Sequence, residues 1–389
     1  LESRLSGTAI ASEAGELSRF VRTQEQRRLV NSVTDRVKRW RSAANQRLVD
    51  LSLRWDAGWV AARAEDPVEP GTVEELLAFR DHIAPGANVL DELPVFYRRA
   101  FTAQTNDTEL IVGGSAVLEH AHEGLERYAS GHHGAFLVTG PPGAGTTSAA
   151  RRIVRELLAD RPQAEVSAPK VATHDIAIFD AAIVSALRVS EGTPVQTALR
   201  SQPRGSTIVI HDLELWWHRG PDGLEVIRRL ESLIEQFGSR VLFIVTCSHA
   251  AANLLRRLEL LEPMVVAHIA VEPMTAADAM DAVLRRHNTS DLQIRFDDGR
   301  ESTEFALARY FTTMRELTGG AAGPLLAAWL AHIEDVETEW IAMREVAGTS
   351  LRAFTSIPPD WIPVVVALAV HRRLDDEGLA HVLGTDATA

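Results

Sequence analysis

GPPGAGTTS, residues 140–148, decides the fold of this chain. It follows the apolar run GAFLVTG and precedes a segment with helical spacing, so a buried strand, a glycine turn and a helix start succeed one another. That succession makes an anion site by geometry. Backbone N–H groups converge in the turn, and the helix N-terminus adds partial positive charge. Gly140, Gly143 and Gly145 supply a permissive backbone, Pro141 and Pro142 stiffen it, and Ala144 lies between them. The phosphate-loop spacing G-x-x-x-x-G-K-[ST] asks for lysine where this chain has Thr146. Thr147 stands where a hydroxyl would hold Mg²⁺, followed by Ser148.

What Thr146 forfeits is the ammonium that contacts β- and γ-phosphates and stabilises charge during phosphoryl transfer. A hydroxyl offers one neutral hydrogen bond, about 1 kcal/mol net, in place of a stronger charge-assisted one. The expectation is that ATP or ADP binding survives and efficient hydrolysis does not. Arg151 and Arg152 follow one turn later, on a helix expected to direct them away from the phosphates.

The run TIVIHDLELWW, residues 207–217, is the natural partner of the loop. In a complete site this strand ends on an aspartate that orders Mg²⁺, followed by an acid that polarises water. His211 takes the first place and Asp212 the second, with Glu214 two residues on. Asp212 is therefore the candidate metal-organising acid, paired with Thr147, and no carboxylate stands directly behind it. Trp216 and Trp217 read as packing under the sheet edge or forming a subunit contact.

Around these motifs the chain alternates. Strands are expected at 135–139, 164–172, 207–211, 241–246 and 266–271, and helices at 147–159, 175–189, 194–200 and 223–237, which predicts a parallel sheet covered by helices. Beyond 271 everything reads helical: 276–286, 303–318, 323–333, then a terminal pair of short helices. At the other end, residues 16–62 read as one long helix whose stripe includes Val33, Val37, Trp40, Ala44 and Leu48. Between Arg19 and Asp56 it carries ten basic and four acidic residues. That pattern suits a solvated face docked on the next domain, or a stalk facing phosphate groups.

The 389 residues are 46% apolar and 24% charged, as in globular proteins, and suffice for two or three domains. A single cysteine, Cys247, excludes an intrachain disulfide or a cysteine zinc cluster and suits a cytoplasmic setting. The net charge of −13 argues against a surface built wholly for nucleic acid. The chain opens on Leu1, which reads as a piece of a longer protein and leaves membrane association to segments outside it. His120, His122, His132 and His133 have no acid or cysteine cluster with them and read as surface residues.

These motifs resemble the AAA+ superfamily of P-loop ATPases, in particular bacterial regulators related to origin-recognition and STAND-like signalling NTPases, over residues 92–389. The resemblance implies an α/β fold with a AAA+-like parallel sheet flanked by helices, a long N-terminal helix, an all-helical lid and a partial winged-helix-like end. The implied domains are 1–91, 92–273, 274–350 and 351–389. VLFIVTCSH resembles the polar sensor strand, which would place Thr246, Cys247 or Ser248 near a γ-phosphate. Arg256 and Arg257 lie where the family often carries an arginine finger acting across a subunit interface; the plainer reading is solvent-facing or salt-bridged side chains. ELTGGAAGPLLAAWL resembles the lid segment that elsewhere carries a sensing arginine, with alanine and glycine in its place, and Gly114 replaces an arginine on the approach.

Three readings follow. The first is a regulatory or scaffold module with a degenerate nucleotide site, acting through homo-oligomer or partner-protein contacts. The second is an active ring- or filament-forming ATPase with Arg256 or Arg257 acting in trans. The third is a nucleic-acid adaptor using residues 19–56 and the terminal helical pair.

Overall fold

A computed structural model describes residues 87–101, 115–218, 223–296, 303–346 and 361–384. The long helix expected at 16–62, the basic stretch 19–56 and Gly114 lie outside the described residues. All the described residues fall in one compact unit, 68–389.

Five parallel strands form its sheet: β1 (Ala135–Gly140), β2 (Gln163–Val166), β3 (Ser206–Ile210), β4 (Val241–Ser248) and β5 (Val265–Ala270). Their order is β2-β3-β4-β1-β5. β1, β3 and β4 are buried at every residue, as unbroken apolar runs covered on both faces must be. β2 alternates exposed and buried residues, which suits its edge position. After short helices α1 (Ala87–Glu92) and α2 (Val95–Phe101), α3 (Ser115–Ala129) leads into β1, and α4 (Thr146–Leu157) leaves it. Val117 and Ala121 of α3 and Ala150, Ile153 and Val154 of α4 form a core with Val138, Val209, Ile244 and Ile269. α5 (Ile176–Ala186) packs on β2 and α7 (Glu225–Phe237), and α6 (Val195–Ser201) touches both helices. The architecture is a parallel α/β sheet flanked by helices, with the glycine loop following β1, as the alternation of elements implies.

After α8 (His249–Arg257) and β5 come α9 (Ala276–His287), α10 (Glu304–Thr318) and α11 (Ala322–Ala331). This region departs from the all-helical lid expected. It contains a second sheet, β6 (Gln293–Phe296), β7 (Ile333–Val336) and β8 (Trp340–Met343), in the order β6-β8-β7. Four-residue strands are too short to show a period, and α11 ends at Ala331, so the expected helix 323–333 overran into β7. Tyr97 and Phe101 of α2 join the core of this region with Phe311, Met314 and Trp329. The Trp329 indole N–H donates to the Tyr97 hydroxyl at 2.9 Å, and that hydroxyl lies 3.0 Å from His287 Nδ1.

The described chain ends in α12 (Ile362–His371) and α13 (Asp376–Leu383). α12 packs on α8 and on the 3₁₀ turn Leu213–Leu215 that follows β3. No helix among the described residues is long and apolar enough to cross a membrane.

Candidate functional site

The turn from β1 into α4 has the backbone its glycines permit. Gly143 sits at φ 76° and Gly145, the N-cap of α4, at φ 95°, both left-handed. No side chain caps α4, so the first-turn N–H groups of a twelve-residue helix face the loop without a local acceptor. Within the loop, Ala144 donates to the Pro141 carbonyl at 3.0 Å. The start of α11 closes over it: Gly323 N–H donates to the Gly143 carbonyl at 2.8 Å. The lid segment expected to lack a sensing arginine thus touches the loop through backbone and Pro324.

Beside the loop lies a cavity of ≈ 370 Å³ between the sheet and the lid, bordered by Gly145, Ser148, Val117, Met274, Arg286 and Leu325. Its mixed apolar and charged lining and its place past the carboxyl ends of parallel strands suit a nucleoside next to the anion cradle. Arg152 also borders this cavity while donating to Glu156 at 2.8 Å. Arg151 instead points to Glu165 on β2, donating at 3.1 and 3.0 Å.

Glu165 also holds His211, whose Nε2 lies 3.3 Å from Oε2. His211 is 5% exposed, and burial keeps its imidazole below the ordinary histidine value against the pull of Glu165. Burial works to raise the Glu165 carboxyl, but its bonds to and charge attraction with Arg151 and His211 together set it below its ordinary value. The place where a metal-ordering aspartate would stand thus holds a neutral ring in a closed Arg–Glu–His chain.

Asp212 adopts a left-handed backbone, φ 49°, and its N–H donates to Thr246 Oγ1 at 2.9 Å. Its carboxylate meets Arg372 Nη1 at 3.0 Å. Glu214, 1% exposed, accepts from the same Nη1 at 3.2 Å and from Ser248 N–H at 3.1 Å. Burial pushes the Glu214 carboxyl up, the Asp212 charge adds to this, and Arg372 opposes it. Burial likewise pushes the neighbouring Cys247 thiol up, with Glu214 reinforcing the shift. Ser248 is the register partner of Gly140, and Thr246 that of Val138. The acids therefore stand one strand away from the base of the glycine loop.

Of the candidate residues, the structure brings Asp212, Thr246 and Ser248 together at the end of β4, each already in a hydrogen bond. Ser248 Oγ caps α8 by accepting from Ala251 N–H at 3.2 Å. Arg256 and Arg257 lie exposed on the last turn of α8, with Arg256 donating to Asn253 at 2.6 Å. Trp216 and Trp217 are buried, the former edge-on to Phe179. No three-residue metal cluster of His, Cys, Asp or Glu occurs among the described residues. Sequence reasoning missed Arg372 and Glu165. Glu165 was legible only as a polar residue in an edge strand, and Arg372 as part of a polar turn 158 residues beyond Glu214.

No protein-family model and no curated protein matches this chain. Solved structures similar in trace include Drosophila ORC bound to DNA, at 14% identity and a TM-score of 0.40, covering 59% of this chain and 57% of that one. Cdc6p from Pyrobaculum aerophilum gives 13% identity and a TM-score of 0.43, covering 60% and 63%. A RuvB mutant from Thermotoga maritima gives 16% and 0.38, covering 71% and 83%. The chain spans about three-fifths of the length of the first two. Strand order and loop geometry, not these likenesses, carry the reading of the site.

Proposed function

We propose that this chain is a AAA+-like regulatory or scaffold module that holds ATP or ADP in a site poorly equipped to hydrolyse it, and that works through contacts with further copies or partner proteins. The carrying observation is the pairing of an intact cradle with missing or engaged charges. The loop keeps its left-handed glycines and uncapped helix start, while Thr146 replaces the lysine and His211 and Asp212 are tied to Glu165 and Arg372. Phosphates fit this cradle: backbone N–H groups of Gly145, Thr146 and Thr147 would hold them, with the α4 dipole adding attraction. The adjoining cavity would take the nucleoside.

Mg²⁺ fits less well. In related chemistry it neutralises β- and γ-phosphate charge; here Thr147 offers one hydroxyl, a neutral imidazole stands in the ordering position, and both carboxylates bind a guanidinium. The chain's own residues thus bind and orient a nucleotide without assembling the groups that activate water. Steady ATP hydrolysis by pure protein, abolished in Asp212→Ala, would refute the reading; nucleotide binding without turnover supports it.

A second reading keeps Arg256 and Arg257 as a finger acting on a neighbouring copy, favoured by their shared exposed position at the end of α8. It predicts that ATP raises light scattering by the wild-type chain and that Arg256→Ala/Arg257→Ala prevents the rise.

A further inference from the structure

The cavity beside the glycine loop has an uneven lining. Ala116, Val117, Ala282, Met274, Leu325 and Leu326 give it small and apolar walls, suited to a flat ring. Charge enters the wall at a few points, and Arg286 differs from its neighbours there. Arg285, beside it on α9, pairs with Asp281 at 2.8 Å, and Arg152, on α4, donates to Glu156. Arg286 has no carboxylate partner among the described residues. Its Nε donates to the Ala100 carbonyl at 3.1 Å and its Nη1 to the Ala282 carbonyl at 2.7 Å. Those two carbonyls fix the guanidinium at the cavity wall and leave Nη2 with no protein acceptor among the described residues. Burial, with no charge to oppose it, pulls this group below the ordinary arginine value. A guanidinium partly out of water with no counter-charge is costly, and a ligand that brings acceptors into the cavity relieves that cost.

Asp278 lines the same cavity from the same helix. Residues 278, 282 and 286 recur every four positions and so share one face of α9. From Asp278 to Arg286 the axis advances about 12 Å, and Arg286 reaches back a turn, about 5 Å, to the Ala282 carbonyl. The donor fork and the carboxylate thus lie roughly 7 Å apart along the helix, the scale of a purine. Asp278 Oδ2 is used in the capping box, accepting from the Thr275 hydroxyl at 2.7 Å, while Oδ1 makes no hydrogen bond among the described residues.

Hydrogen-bond chemistry decides which base suits this pair. Guanine carries two acceptors, O6 and N7, on one edge and donors at N1 and N2 on the next, whereas adenine sets an amino donor beside N7. An arginine fork matches O6 and N7 of guanine but sets a donor against the amino group of adenine. A carboxylate likewise accepts from the N1 and N2 hydrogens of guanine and repels the N1 lone pair of adenine.

We infer that the cavity selects a guanine base, with Arg286 meeting O6 and N7 and Asp278 meeting the N1 and N2 edge, so that the cradle holds GDP or GTP in preference to ADP or ATP. This rests on reading the loop and cavity as a nucleotide site, and it names the nucleotide. The backbone cradle is indifferent to the base, so adenine nucleotides still bind, more weakly.

Calorimetric titrations of the full chain with GDP and with ADP test this directly. GDP should bind at least about tenfold more tightly than ADP. Arg286→Gln, which offers one donor and one acceptor as adenine requires, should erase or reverse that ratio while moving ADP affinity by less than about threefold. Equal affinity of the wild-type chain for GDP and ADP, or a GDP preference undiminished in Arg286→Gln, overturns the inference and leaves the nucleotide reading standing. Binding of neither nucleotide overturns both. Should Arg286→Gln fail to fold, base analogues on the wild-type chain decide instead. The 7-deaza analogue of GDP, which lacks the N7 acceptor, should bind at least about fivefold more weakly than GDP, and inosine diphosphate, which lacks the 2-amino group, should fall between GDP and ADP. Either analogue binding as tightly as GDP overturns the inference.

Discussion

Gly143 meets two demands at once: its backbone sits at φ 76°, and a Cβ there would lie 2.7 Å from Pro324 Cδ. Gly143→Ala should therefore lower stability by at least about 1 kcal/mol and loosen the lid from the loop. Chemical denaturation and hydrogen exchange of Gly323 would read the two effects. Thr146 is simpler. Thr146→Lys should return a charge-assisted contact in place of a neutral one, tightening ATP by about 1–2 kcal/mol, roughly tenfold in Kd by calorimetry. These residues were legible in the sequence because a glycine loop encodes its geometry locally. Arg372 and Glu165 were not, because their roles come from partners distant in the chain. An arginine in a polar turn carries no mark of the carboxylates it will meet. Glu214, noted only as an acid two residues past Asp212, gains its meaning from burial that nothing in DLE signals.

At the scale of elements, the sheet was readable because its central strands are unbroken apolar runs. Expected strand ends fall within about two residues of the observed ones in β1, β3, β4 and β5. The expected strand 164–172 was too long: β2 stops at Val166, short of Pro169. The second sheet escaped because its strands are brief and lean on the lid core. That core predicts its own sensitivity. Trp329 is fully buried, stacked on Phe311 at 5.6 Å and bonded to Tyr97, so Trp329→Ala should cost about 3–5 kcal/mol of stability, measured by urea unfolding. The C-terminal pair carries a pH dependence. His218 lies 4.4 Å from His381 of α13 and 4.1 Å from His174, ring to ring. Burial, with the charges of His174, His381 and His371, lowers its value from 6.5 to about 4. The unfolded chain takes up a proton near pH 6.5 that the folded chain refuses until about pH 4. Stability from this group is thus complete above pH 6.5 and falls through that window, by up to about 3 kcal/mol. Urea midpoints at pH 7.5, 5.5 and 4.5 should decline in wild type and flatten in His218→Gln.

For the whole molecule, the proposed function takes strand order, loop and lid as a frame for nucleotide, while among the described residues the positions expected to drive phosphoryl transfer are replaced or engaged within the chain. Thr146, His211 paired with Glu165, and Asp212 paired with Arg372 are the residues on which the proposal of holding a nucleotide over turning it over rests. A calorimetric titration of the full chain with ATP in the presence of Mg²⁺ tests this most directly, since binding heat and continuing hydrolysis appear in the same trace. The account predicts saturable heat with a baseline that returns to its starting level after each injection. A sustained heat flow proportional to protein concentration and lost in Asp212→Ala would contradict it, as would the absence of any binding heat.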